Sequence, residues 1–340
     1  MEPVLKISEG KRKGLKALSN ERGVIAALAL DQRNALRKLF AKHLDGTADV
    51  PARMLVEFKE HVSRILTPHA SAILLDPEYG LPAAERRDKD AGLLLAYEKT
   101  GYDANLPGRL PQLLHGFSVT GLQEAGADAV KVLLYYSPAS GPGINSQKYD
   151  WVQRVGAECL AADMPFFLEI VSYHDDMDEK GPEFARIKPD VVTRSIEEFC
   201  KPQYAVDVLK VGVPVNMRFV ESPGIGLGDA IYSRAEAVAY FRQASAASSL
   251  PFIYLSEGVS NELFSDALGL AEEAGSAFSG VLCGRATWQD GVSVFVNHGS
   301  TALDEWLRGP GTQNIQRVNT RLSAARPWHE KFSAAAAGKG

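Results

Sequence analysis

Short apolar runs recur along the chain, each bounded by polar or turn residues, and stretches with helical periodicity lie between most of them. The runs are residues 24–30 closing on Asp31, Ala72–Leu75 closing on Asp76, and 93–97 closing on Glu98. They continue with 129–134, 166–170, 208–213, Phe252–Leu255 closing on Ser256, and Gly280–Cys283 closing on Gly284-Arg285. Their length and flanks read as parallel strands covered on both faces. The helical stretches begin with an amphipathic opening helix at 7–18. A helix follows at 51–67, with Met54, Leu55, Phe58, Val62, Ile65 and Leu66 on one stripe, Asp49 near its cap and Pro68 as its stop. Further helices are expected at 113–125 closed by Gly126, around Trp151 to Cys159, at 184–199, and at 261–274 closed by Gly275. Ser233-Arg234-Ala235-Glu236 is a capping box opening another that runs to Ser248, and a last helical region falls at 302–307. Eight strands alternating with helices and no linker predict a single (β/α)8 TIM barrel over residues 1–330. It has an N-terminal helix and a short disordered tail at 331–340. A doubly wound open sheet would call for a Gly-rich phosphate fingerprint after an early strand, and none is present.

Two of the strands are interrupted by lysine: Asp207-Val208-Leu209-Lys210-Val211-Gly212-Val213-Pro214 and Ala129-Val130-Lys131-Val132-Leu133-Leu134. Lysine is almost never fully buried without a partner. Burial lowers its pKa, and a neutral amine attacks carbonyls to form a Schiff base. On one stretch alone, structural pairing with a carboxylate is the simpler account. In a barrel, however, the carboxyl ends of the strands make one mouth, and that rule collects Asp31, Asp76, Glu98, Lys131, Glu169, Lys210, Ser256 and Arg285 there. Two amines close together are costly to keep protonated, so one is expected to move toward neutrality. Glu169, on the strand between them, can stabilise one ammonium while carrying protons for the other. Asp31 can hold a substrate hydroxyl or act as a second base. Loops after strands seven and eight often hold phosphate. Ser256-Glu257-Gly258-Val259-Ser260 and Cys283-Gly284-Arg285-Ala286-Thr287 suit that task, provided the charge of Glu257 points away.

Composition narrows the setting. The 340 residues are 45% hydrophobic and 23% charged with a formal net charge of −5, which does not fit a nucleic-acid footprint. Lys11-Arg12-Lys13 reads as a solvated face of the first helix. No leader or membrane-spanning pattern is evident, so a cytoplasmic setting without a membrane partner is expected. Three widely spaced cysteines, Cys159, Cys200 and Cys283, have no metal-like pairing and read as small buried hydrophobes in a reducing compartment.

With these residues in hand, the chain resembles the class I, Schiff-base tagatose 1,6-bisphosphate aldolases. The resemblance is carried by Leu28-Ala29-Leu30-Asp31-Gln32-Arg33, Ile73-Leu74-Leu75-Asp76-Pro77-Glu78-Tyr79-Gly80-Leu81-Pro82, and Ala91-Gly92-Leu93-Leu94-Leu95-Ala96-Tyr97-Glu98-Lys99-Thr100-Gly101-Tyr102. It continues through Gly126-Ala127-Asp128-Ala129-Val130-Lys131, Pro165-Phe166-Phe167-Leu168-Glu169, Asp207-Val208-Leu209-Lys210-Val211 and Leu282-Cys283-Gly284-Arg285-Ala286-Thr287-Trp288. It implies metal-free, cofactor-free, reversible cleavage of tagatose 1,6-bisphosphate to dihydroxyacetone phosphate and glyceraldehyde 3-phosphate. Lys210 then stands as the Schiff-base lysine, Glu169 as the acid/base, and Lys131 and Asp31 as supporting residues. Ser256, Gly258, Gly284 and Arg285 stand at the phosphate site, with Gln32 beside them and Arg33 as a second phosphate ligand. Two positions depart: the family usually has a small residue where Glu257 stands and often an acid where Gly212 stands. Residues 222–228 are also unusually Gly-rich.

The rival readings are a class I aldolase for fructose bisphosphate or a sulfonated ketose phosphate, and a non-catalytic sugar-phosphate sensor. A third is a metal-dependent aldolase, with ligands drawn from His174, Asp175, Asp176, Asp178 and Glu179. That last cluster reads better as one solvated acidic loop, because a barrel metal site draws ligands from separate strands. The expected partner is a phosphorylated ketose, and a homo-oligomer stays open.

Overall fold

A computed structural model describes residues 5–44, 49–103, 105–221 and 230–333. Eight parallel strands close into a barrel in chain order. They are β1 (Ile25–Leu30), β2 (Ala72–Leu75), β3 (Gly92–Ala96), β4 (Ala129–Tyr136), β5 (Phe166–Ser172), β6 (Val208–Val211), β7 (Phe252–Leu255) and β8 (Gly280–Cys283). The circle is completed where β1 pairs with β8, Ala27 opposite Leu282.

Alternation along the strands builds two cores. On β4, Val130, Val132 and Leu134 face outward into the large cluster shared with the surrounding helices. Ala129 faces inward with Ile25, Ala27, Ala29, Leu74, Leu94, Phe167, Val208, Ile253 and Leu282 to fill the barrel. Ile7, Leu15 and Leu18 from the opening helix region (Glu9–Ala17) and Trp328 join that inner cluster and stopper its amino end. One inward position further on, the apolar layer gives way to Lys131, Glu169 and Lys210 on three adjacent strands.

Several local features differ from the sequence reading. Lys11 is not solvated: it is buried, and its Nζ lies 2.8 Å from Asp207 Oδ2, whose carboxylate also receives the Phe166 amide. The helix expected at 113–125 is confined to Val119–Glu124, because Leu113 bridges to Glu98, Gly116 sits at φ 81° and Ser118 caps the helix. Pro51, not Asp49, precedes the helix Ala52–Leu66, which has no side-chain cap. A helix at Asn34–His43 went unread. The capping box at Ser233 is present with both hydrogen bonds. The start of the expected tail is ordered, with Lys331 ending a 3-10 turn and Phe332–Ser333 pairing in parallel with Leu5–Lys6, while residues 334–340 and the Gly-rich segment 222–228 lie outside the described residues.

Candidate active site

At the carboxyl end of the barrel a cavity of about 570 Å3 opens between the loops, lined by Asp31, Gln32, Arg33, Glu98, Glu169, Ser256, Gly258 and Arg285 among others. Glu169 and Leu133 line its floor, and just beneath them the parallel register sets Glu169 directly beside Lys210, and Leu133, two residues after Lys131, beside Glu169. Lys210 Nζ therefore stands 2.9 Å from Glu169 Oε2, and Lys131 Nζ stands 2.7 Å from the same oxygen. Lys131 also reaches Asp31 Oδ2 and Glu98 Oε1, each at 2.8 Å. Lys131 thus has three carboxylates within ion-pair distance and hydrogen-bonds two of them, Asp31 and Glu98, whereas Lys210 has one ion-pair partner among the described residues.

That asymmetry decides which of the two amines is the fixed charge. Burial acts to lower the pKa of Lys131, but Asp31, Glu169 and Glu98 overcome it and hold the ammonium well above its ordinary range. The carboxylates respond in turn. Burial would raise Asp31 and Glu169, yet Lys131 and Lys210 hold both below the ordinary carboxylate range. Glu98 alone goes the other way, its burial outweighing the attraction of Lys131. Lys131 is a fixed cation, and the amine left for chemistry is Lys210.

Not every strand-end acid belongs to this constellation. Asp76 is fully buried and ion-paired to Lys59, which also donates to the Leu30 carbonyl at 2.9 Å. Its other oxygen receives the Tyr79 amide. It fastens the helix Ala52–Leu66 to the barrel, and among the described residues it makes no ion pair or hydrogen bond with Lys131 or Lys210. Lys59→Met is expected to lower the unfolding free energy by about 3–5 kcal/mol, because it strands a buried carboxylate. Urea unfolding reads this, and substrate KM should stay at the wild-type value.

The strand 7 and 8 loops meet as anticipated. Gly258 adopts φ 75°, and the Arg285 guanidinium lies so close that a Cβ at Gly258 would stand 2.5 Å from its Cζ. Gln32 packs against Gly284, and its Oε1 is buried without a partner. Arg33, expected beside it as a phosphate ligand, is turned instead toward Glu78 Oε2 at 2.7 Å and the Glu98 carbonyl at 2.8 Å. Its Nε and Glu98 Oε2 are likewise buried and unpaired. Cys283, at the end of β8, has its thiol pushed up to about 12 by burial, so it is not a nucleophile.

The sequence reading passed over a second wall. Arg109, at φ 48°, places its guanidinium over the rings of Tyr102, Tyr135 and Tyr173, 4.4 Å from the last, and pairs with Glu179 at 2.6 Å. Glu179 was assigned to the acidic loop as a metal candidate; its carboxylate is committed to Arg109. Among the described residues no three His, Cys, Asp or Glu side chains converge as metal ligands do. Nothing in the loop sequence around Arg109 distinguishes it from any exposed arginine.

A family profile for DeoC/LacD family aldolases matches residues 25–290. The chain belongs to the DeoC/LacD aldolase family. Tagatose 1,6-diphosphate aldolase 2 of Enterococcus faecalis is 53% identical over 330 residues, covering 96% of this chain and 98% of the relative. Tagatose 1,6-diphosphate aldolase of Staphylococcus epidermidis is 49% identical over 326 residues, covering 95% and 99%. Among solved structures, fructose-bisphosphate aldolase from Plasmodium falciparum superposes with a TM-score of 0.67 at 14% identity, covering 98% of this chain and 99% of that one. At that identity the likeness is one of fold. The DeoC/LacD assignment and the barrel agree, since the matched span begins at β1 and ends just past Arg285. No helix among the described residues is long and apolar enough to cross a membrane.

Proposed function

We propose that the chain is a class I aldolase that cleaves D-tagatose 1,6-bisphosphate reversibly to dihydroxyacetone phosphate and glyceraldehyde 3-phosphate, through a Schiff base on Lys210, in the cytoplasm. The observation that carries this reading is the Lys131–Glu169–Lys210 row, one carboxylate oxygen shared by two amines of unequal commitment. Substrate identity is supported by relatives about half identical in sequence and named for that sugar.

The residues divide the work as follows. Lys210 passes a proton to Glu169, and its neutral nitrogen adds to C2 of the ketose while a proton moves from nitrogen to the carbonyl oxygen, forming a carbinolamine. Loss of the ammonium charge removes one of the two cations that hold Glu169 down, so Glu169 gains proton affinity when it must deliver a proton to the departing hydroxyl. The resulting iminium accepts the electron pair of the C3–C4 bond as a base removes the C4 hydroxyl proton. Asp31, ionised beside Lys131, and Glu169 both fit that task. Protonation of the enamine at C3 and hydrolysis return Lys210. Ser256, Gly258, Gly284 and Arg285 hold the phosphate nearest Lys210, and Gln32 borders it. Arg33 and Arg109 are the guanidinium groups on the other walls for the second phosphate, each having to release or share its carboxylate partner, Glu78 or Glu179, to take it.

Turnover on tagatose and fructose bisphosphates and on a sulfonated ketose phosphate, each with and without borohydride, tests the proposal. The highest kcat/KM is expected for tagatose bisphosphate, with substrate-dependent irreversible inactivation. Failure to trap the sugar on the protein would overturn the Schiff base, and a preference for another ketose would reassign the substrate.

A further inference from the structure

We propose that Lys188 is a substrate-binding residue at the phosphate end of the mouth, that Glu257 is its positioning residue, and that Gly212 is the gap that admits the Glu257 carboxylate. The proposal rests on the aldolase reading and assigns a further part of the same site.

Lys188 lies within the helix Pro182–Phe199, among the buried Phe184, Ala185, Val191 and Val192, and its side chain is 7% exposed. It nonetheless lines the mouth. An ammonium sunk that deeply requires an acceptor, and Glu257 Oε2 supplies it at 2.6 Å. Among the described residues this is its one hydrogen-bonded partner, which leaves two of its three donors for another anion.

Glu257 is built to reach it. Its backbone sits at φ 49°, a left-handed conformation unfavourable for a residue of this type. The side chain is thereby sent across to β6, over Gly212. A Cβ at Gly212 would stand 2.9 Å from Glu257 Cδ and closer still to Oε1. Positions 212 and 257 therefore compete for one volume. A carboxylate can be presented to Lys188 from 257 if 212 is glycine, or by a short acid at 212 if 257 is small, but not from both together.

The location gives the pair its task. Glu257 is flanked by Ser256 and Gly258, and Arg285 rests on Gly258. Lys188 and Arg285 thus approach the same three-residue loop from two sides. The Glu257 carboxylate is paired with Lys188 and, among the described residues, makes no ion pair with Arg285. A dianionic phosphate arriving at the loop meets both cations, with the ammonium already aimed.

The test measures kcat, KM for the bisphosphate, inhibition by inorganic phosphate and borohydride trapping of dihydroxyacetone phosphate. The variants are Lys188→Met, Glu257→Gly, Gly212→Asp and the double variant Glu257→Gly/Gly212→Asp. Lys188→Met is expected to raise KM about tenfold and to weaken phosphate inhibition by a similar factor, as loss of one charged hydrogen bond implies. Its kcat should change by less than about threefold, since the transition state gains nothing further from this contact. Glu257→Gly raises KM by leaving Lys188 unheld, and Gly212→Asp does so by setting two carboxylates in one place. The double variant should return to within about threefold of wild type, the non-additivity expected of residues sharing one volume. Unchanged KM and phosphate inhibition in Lys188→Met, or additive effects of the two substitutions at 212 and 257, would overturn the proposal. Where Gly212→Asp does not fold, recovery of folding in the double variant supports the shared volume and persistent misfolding counts against it. Trapping retained in these variants keeps the aldolase reading intact whichever way the proposal falls; its absence from the unmodified chain strikes the reading itself.

Discussion

Lys210→Met should abolish aldol cleavage, lowering kcat by about 10^4-fold or more, because Lys210 is the amine set against Glu169 for imine formation and loss of a nucleophile removes the whole covalent route. Lys131 does not substitute for it, since its ammonium is held by three carboxylates, Asp31, Glu98 and Glu169, at 2.7–2.8 Å. The fold should survive, because Glu169 keeps Lys131 as its counter-ion when Lys210 is lost. The informative comparison is therefore threefold. Cleavage and borohydride trapping disappear together, inorganic phosphate still binds with wild-type affinity through the strand 7 and 8 loops, and the midpoint of thermal unfolding moves little. Residual cleavage above about one per cent of wild type would place the nucleophile elsewhere, given the size of nucleophile effects.

How far the sequence led to this site depended on whether a residue's partner lies near it in sequence or only in space. All eight strands were legible because a strand buried on both faces appears as an uninterrupted apolar run. For the same reason Lys131, Glu169 and Lys210 stood out as interruptions. The rule that strand ends carry chemistry found Asp31 and Arg285, but it also gathered Asp76. Nothing in the run Leu74-Leu75-Asp76 reveals that Lys59, on the preceding helix, neutralises it. Lys11 was misread in the same way, its partner Asp207 being 196 positions away. Lys188 carries no local mark in the helix 184–199, because the carboxylate it meets, Glu257, lies 69 positions on. The missed helix at Asn34–His43 did carry a signal, Leu36 and Phe40 one turn apart and both buried. Gly212 and Glu257 were noticed separately as departures from the family pattern, and only the fold makes them one feature.

The second large effect is on stability. Lys131→Met should cost about 3–5 kcal/mol at neutral pH, the range for stripping one partner from a buried ionic cluster. It leaves Asp31, Glu98 and Glu169 converging with Lys210 and Arg33 as their remaining neighbouring cations. The pH dependence identifies the cause. In the wild-type protein the folded-state pKa values of Asp31 and Glu169 are lowered, so the stability they contribute is complete above the unfolded carboxylate value near 4 and is lost as pH falls through the folded values. Glu98, raised by burial, works with the opposite sign and recovers stability on acidification. Lys131, raised well above 10.5, keeps its full contribution at lower pH and surrenders it only as the solution becomes more alkaline than that. Without Lys131 the crowded carboxylates behave as Glu98 does: they bind protons more readily folded than unfolded, and stability rises on acidification. The deficit of Lys131→Met relative to wild type should therefore shrink between pH 7 and pH 5, measured by urea unfolding at each pH. A deficit independent of pH would mean that Lys131 stabilises the barrel through the packing of its methylene chain and not through the three carboxylates around its ammonium.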